Sequence, residues 1–109
     1  MDYLELKDRI ITILDDKIGG DIVALDISEQ TSIADYFVVA TGKNTSHVRA
    51  LVESLEEKLE AEGVFCIRKE GVREGRWAVV DYGSIIVHIF NNETRDFYAL
   101  EKLWTSKNQ

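Results

Sequence analysis

The chain has 109 residues, 45% hydrophobic and 30% charged, the balance of a soluble globular protein with length for one core and not two. Its formal charge of −7 and pI near 4.8 oppose binding to phosphate backbones and anionic membranes and favour basic partners. No apolar run reaches the roughly 20 residues that cross a bilayer, the opening MDYLELKDRI resembles neither a secretory signal nor a transit peptide, and one cysteine, Cys66, rules out an internal disulfide and points to a reducing, intracellular setting.

Tyr3 to about Ile18 reads as a helix. Leu6, Ile10, Ile13 and Leu14 recur at spacings of three and four, Asp2 and Glu5 put acid near the first turn, and Gly19-Gly20 ends it. Asp21 to Ile27 reads as a strand in which Ile22 and Val23 break strict alternation, as a strand covered on both sides does. Ser28 to Ser32 is a polar loop, and Tyr36 to Thr41 is a second strand. Gly42-Lys43-Asn44 breaks it. Thr45 or Ser46 then caps a helix to about Glu62, striped by Val48, Leu51, Val52, Leu55 and Leu59 and stopped by Gly63.

Val64 to Ile67 is expected as a third strand, with Cys66 a small buried apolar side chain within it, and polar Arg68 to Gly75 as a mobile loop. Trp77–Val80 and Ile85–Phe90 flank Asp81-Tyr82-Gly83-Ser84, a hairpin signal. Asn91 or Asn92 can cap a last helix, Glu93 to about Trp104, with Phe97, Leu100, Leu103 and Trp104 on its apolar side.

This order predicts an α/β (α+β) fold: one domain over 1–109, with a mixed five-stranded sheet and three helices. The hairpin is apolar on both faces. Trp77 and Val79 share one side, Ala78 and Val80 the other, and on the second strand Ile86, His88 and Phe90 oppose Ile85, Val87 and Ile89. Three helices cover one face well and the other in part, so an incompletely covered face centred on Trp77 is expected, suited to a protein partner or to self-association.

Catalytic and metal constellations are thin. Cys66, His47 and His88 sit in unlike contexts, and no CxxC or HExxH pattern occurs, so no catalytic residue and no metal ligand is assigned. His88, in an apolar strand, reads as a core or interface histidine with a hydrogen-bond partner. Thr41-Gly42-Lys43-Asn44-Thr45 joins strand to helix as a phosphate loop does, but Phe37 stands where the first glycine is needed and Asn44 where Ser or Thr is needed. Asp26, Asp35 and Asp81 are far apart, so phosphoryl chemistry lacks a metal cradle. Arg68, Lys69, Arg73 and Arg76 are interrupted by Glu70 and Glu74, which leaves little support for direct nucleic-acid binding.

The segments DYFVVATG (35–42), SHV (46–48), WAVVDYG (77–83), VHIF (87–90) and RDFYALEKLW (95–104), in that order, resemble the ribosomal silencing factor family, also called the Iojap family. The resemblance implies a cytoplasmic, non-enzymatic protein whose fold looks like a nucleotidyltransferase without its catalytic site and which needs no cofactor. It implies binding to the large ribosomal subunit through its protein numbered fourteen, on the surface that meets the small subunit, so that subunit joining is blocked and translation repressed. Homodimers are also expected, since some members form them.

An interface of that kind has an aromatic centre and a polar rim. The partner-binding residues expected are Trp77 as anchor, Val79, Tyr82, Tyr98 and Leu100 around it, and Asp81 and Glu101 facing basic side chains. His88 and Arg95 match family positions as well. The alternatives left open are a small nucleotidyltransferase-like, nucleotide-binding enzyme, and a face that serves homodimerisation alone.

Overall fold

Asp2 opens the first helix, α1 (Tyr3–Asp16), by accepting the Glu5 N–H on its carboxylate at 2.9 Å. A computed structural model of the chain describes residues 1–94. Leu6, Ile10, Ile13 and Leu14 form the buried stripe of α1, as their spacing predicts. The helix stops two residues before Ile18. Its end is a Schellman turn in which Ile18 N–H donates to Asp15 O at 2.9 Å and Gly19 N–H to Leu14 O at 2.8 Å. The left-handed position in that turn falls on Ile18, with φ of 62°, and not on a glycine. Gly19 is needed one residue later, because a Cβ there would lie 2.9 Å from Leu14 O.

The remaining elements are β1 (Gly20–Asp26), β2 (Tyr36–Gly42), α2 (Thr45–Ala61), β3 (Arg68–Glu70), β4 (Trp77–Asp81) and β5 (Ile85–Asn91). Asn44, not Thr45 or Ser46, caps α2: its side-chain oxygen accepts the His47 N–H at 2.8 Å. Gly63, at φ of 82°, closes α2 with the same two bonds that end α1. After β5, Asn91 accepts the Thr94 N–H at 2.9 Å, and residues 92–94 are helical. The rest of the helix expected over Glu93 to about Trp104 lies outside the described residues.

The sheet order is β1-β2-β5-β4-β3. The central pair, β2 and β5, is parallel, running from Tyr36 opposite Ile85 to Gly42 opposite Asn91. The other three pairs are antiparallel, so the sheet is mixed, as predicted.

Both described helices lie on one face of this sheet. There Val38, Ala40, Ala78, Val80, Ile85, Val87 and Ile89 join the apolar stripes of α1 and α2 in the main core. On the opposite face Leu25, Ile27, Ala34, Phe37, Val39 and Phe90 form a second cluster, with Val23, Trp77 and Ile86 partly buried against it. Neither α1 nor α2 contributes to that cluster. Ile22 packs toward the main core and Val23 toward the second cluster, which accounts for the broken alternation in β1.

The third strand lies later in the chain than its apolar pattern predicts. Val64–Ile67 is not a strand; β3 is the next three residues, Arg68–Glu70, all exposed. Val64 and Cys66 tuck against the main core, while Phe65 and Ile67 are 65% and 69% exposed. β3 is the outermost strand, where short length and charged side chains discourage further pairing, so apolar content is a poor guide to an edge.

The expected mobile loop is also tied down. Gly71 and Gly75 both have positive φ, Gly75 N–H donates to Gly71 O at 3.1 Å, and Arg49 of α2 donates to Arg73 O at 2.8 Å. A Cβ on Gly75 would lie 2.7 Å from Thr45 O, and one on Gly71 would collide with the Trp77 carbonyl. The segment is thus packed on the start of α2 and delivers the chain into β4.

Candidate functional site

Strand alternation sends Trp77, Val79 and Asp81 to the face away from the helices, where each remains partly exposed. Their cross-strand partners there are Phe90, His88 and Ile86. Of the expected partner-binding residues, these three therefore lie in a row. Tyr82 does not join them. It is 9% exposed and belongs to the main core on the helix side, because it follows Asp81 by one residue. Tyr98, Leu100 and Glu101 lie outside the described residues.

Among the described residues, Trp77, Phe90, His88 and Phe37 bring their rings together at the centre of this face. Trp77 stacks on Phe90 with centroids 5.0 Å apart and planes at 26°. His88 meets Phe37 in a T-shaped contact at 4.6 Å. The Trp77 indole N–H donates to His88 Nδ1 at 3.0 Å. His88 is 7% exposed, and burial pushes its pKa down to about 4, so the ring is neutral at physiological pH. With Nδ1 accepting, the ring proton sits on Nε2, which has no hydrogen-bond partner among the described residues. The expected core or interface histidine is thus present, satisfied at one nitrogen only.

The rim is polar. Asp81 Oδ1 accepts the Gly83 N–H at 2.7 Å, which shapes the β4–β5 turn, and Oδ2 lies 3.8 Å from Arg68 Nε. Glu70 is paired with Val79 across β3 and β4. On the helix side of the same edge, Lys69 donates to Glu56 at 2.7 Å.

The family model described as "Ribosomal silencing factor during starvation" matches residues 1–109. The ribosomal silencing factor of Bacillus subtilis is 38% identical over 90 residues, which cover 83% of this chain and 76% of that one. A crystal structure of a protein from Chromobacterium violaceum superposes with a TM-score of 0.93 at 38% identity, covering 96% of this chain and 88% of that one. The mouse protein named "Mitochondrial assembly of ribosomal large subunit protein 1" is 33% identical over 101 residues, covering 90% of this chain and 44% of that longer one. The chain belongs to the ribosomal silencing factor family.

In the strand-to-helix turn that the sequence offered for phosphate binding, Asn44 and His47 are both engaged within the chain. Asn44 caps α2, and His47 from the SHV segment accepts the Lys43 N–H on Nδ1 at 2.9 Å and donates from Nε2 to Lys17 O at 2.9 Å. His47 thereby ties the end of α1 to the start of α2. A cleft of about 360 Å³ does lie at the ends of β2 and β5, lined by Lys43, Asn44, Thr45, Asn91, Asn92 and Glu93. Among the described residues, no group of three or more His, Cys, Asp and Glu side chains is placed to hold a metal ion.

Cys66 is only partly buried, not enclosed as expected, and its thiol donates to Glu56 at 3.6 Å. Burial first, and then the Glu56 carboxylate, push the thiol pKa up, which opposes nucleophilic reactivity. Phe65 and Ile67 are exposed hydrophobics that the expected strand over Val64–Ile67 did not foresee. The signal was available: an apolar run too short to alternate, directly after a glycine helix stop and directly before a charged edge. Among the described residues, no helix is long and apolar enough to cross a membrane.

Proposed function

We propose that this chain docks on the large ribosomal subunit through its protein numbered fourteen, at the surface that meets the small subunit, and blocks subunit joining so that translation is repressed. The observation that carries this reading is family membership over residues 1–109. A steric block requires no bond to be made or broken, which agrees with the thin catalytic inventory of the sequence, and the protein acts as a regulator rather than as an enzyme. The formal charge of −7 suits a basic partner, because complementary charge speeds encounter and fixes orientation. The mouse relative's name also concerns the large ribosomal subunit.

The partner-binding residues we propose are Trp77 as anchor with Val79 and Asp81 beside it, joined by Tyr98, Leu100 and Glu101. Tyr82 takes part through the main core that supports β4 and its turn, since its side chain is buried there. The setting is the cytoplasm. The free protein forms a homodimer through the same face, so docking and dimerisation compete.

Sedimentation with separated ribosomal subunits tests the reading. The chain is expected to travel with the large subunit and to lower the yield of joined subunits. Failure to travel with the large subunit overturns it.

A further inference from the structure

We propose that His88 is the positioning residue of the docking face: its Nδ1 takes up the single N–H of Trp77 and fixes the indole against Phe90, so that Trp77 meets its partner as a carbon plate with no donor left to give. This inference rests on the docking reading above and deepens it.

The geometry follows from the register. Trp77 is opposite Phe90, and Val79 is opposite His88, so Trp77 and His88 are diagonal neighbours on one face of an antiparallel pair. That spacing lets a long aromatic side chain reach across, and the indole N–H ends 3.0 Å from Nδ1. Phe90 lies beneath the indole, and Phe37 bears on the other side of the imidazole. An indole has one donor and no hydrogen-bond acceptor. Once that donor is taken inside the chain, what the indole offers outside is carbon and the negative face of its π system.

The consequence is a rule for the partner. A group that seeks the indole N–H must first break a partly buried hydrogen bond. An aliphatic side chain, or a guanidinium lying flat on the ring, loses nothing. A basic protein carrying arginine next to apolar residues is therefore the partner this plate fits, in accord with the acidic balance of the chain.

A double-mutant cycle tests the role. Affinity for isolated large ribosomal subunits is measured for the full chain and for His88→Leu, His88→Asn, Trp77→Ala and the double variant Trp77→Ala with His88→Leu. His88→Leu removes the acceptor and is expected to weaken docking about three- to tenfold, the cost of ordering on binding an indole that the bond no longer holds in place. His88→Asn restores an acceptor near Nδ1 and is expected to bind like the parent chain. With Trp77→Ala already in place, His88→Leu is expected to add no further loss. Equal losses with and without Trp77→Ala, or no loss at all, overturn the proposal.

A second readout is independent of docking. The indole N–H resonance that Trp77→Phe removes should shift in His88→Leu and keep its place in His88→Asn; a resonance unmoved in His88→Leu overturns the pairing. Should His88→Leu fail to fold, His88→Phe serves in its place, since it keeps a ring and lacks the acceptor. If the parent chain does not bind the large subunit, the docking reading fails, while the resonance still decides the Trp77–His88 pairing.

Discussion

Nδ1 of His88 accepts the indole N–H of Trp77 at 3.0 Å, and it can do so only while the imidazole is neutral. Protonation would put an N–H on both ring nitrogens and set two donors against each other. Burial holds the folded-state pKa at about 4, below the ordinary 6.5 of an unfolded chain. The unfolded state therefore binds this proton more readily. The stability linked to His88 is full above about pH 6.5 and is lost as pH falls from there toward 4. Urea unfolding of the parent chain and of His88→Asn, compared at steps of pH, should show a stability difference that is flat above pH 6.5 and shifts against the parent chain below it. A difference independent of pH would place His88 in water.

Trp77→Ala should weaken binding to the large subunit by about 2 kcal/mol or more if the indole is the anchor of the face. Thermal unfolding run alongside separates loss of the anchor from loss of fold, because Trp77 also packs on the second cluster. Unchanged affinity in a folded variant would move the anchor elsewhere.

Two glycines with the same sign of φ should respond very differently to alanine. Gly63, at φ of 82°, has nothing within 4 Å of where a Cβ would stand, so Gly63→Ala bears backbone strain alone, about 1 kcal/mol. Gly75, at φ of 67°, would put a Cβ 2.7 Å from Thr45 O and 2.8 Å from Thr45 Cβ. Gly75→Ala adds a collision with backbone to the strain and should cost about 3 kcal/mol or more. Chemical denaturation of the two variants reads the contrast directly.

Ile18→Gly should stabilise the chain by about 1 kcal/mol. Ile18 carries a left-handed backbone that a β-branched residue rarely adopts, and its side chain is 68% exposed, so little packing is lost on its removal. A raised denaturation midpoint with an unchanged slope is the expected result.

Legibility differed from element to element for physical reasons. The stripes of α1 and α2 were readable because burial on one side of a helix imposes its period on the sequence. The two-faced hairpin was readable for the converse reason: Trp77 and Phe90 could be apolar only if the far face also packed something. Strand β3 was not readable. Arg68-Lys69-Glu70 has the composition of a loop, and its pairing with Val79, Val80 and Asp81 is a property of the neighbour. Tyr82 illustrates a finer limit. Its place in the motif associated it with Trp77, yet one residue of strand register carries it to the opposite face. The Trp77–His88 bond needed the antiparallel register, which no local pattern prints. Nothing local marks Ile18 as the bearer of a left-handed turn, because two glycines follow it and glycine is the residue expected in that conformation.

The parallel seam between β2 and β5 sets how this chain must find its fold. Most other contacts are made between near neighbours: α1 with β1, β1 with β2, β3 with β4, and β4 with β5. The seam instead joins Tyr36 to Ile85, with α2, β3 and β4 all intervening. Closing so long a loop costs entropy before any pairing repays it, and rates fall as such distant contacts come to dominate. Until Val38 comes to face Val87, β2 and β5 each keep one apolar edge unpaired, so the seam is the contact that topology expects to form late and the one whose delay would expose the chain to pairing with others.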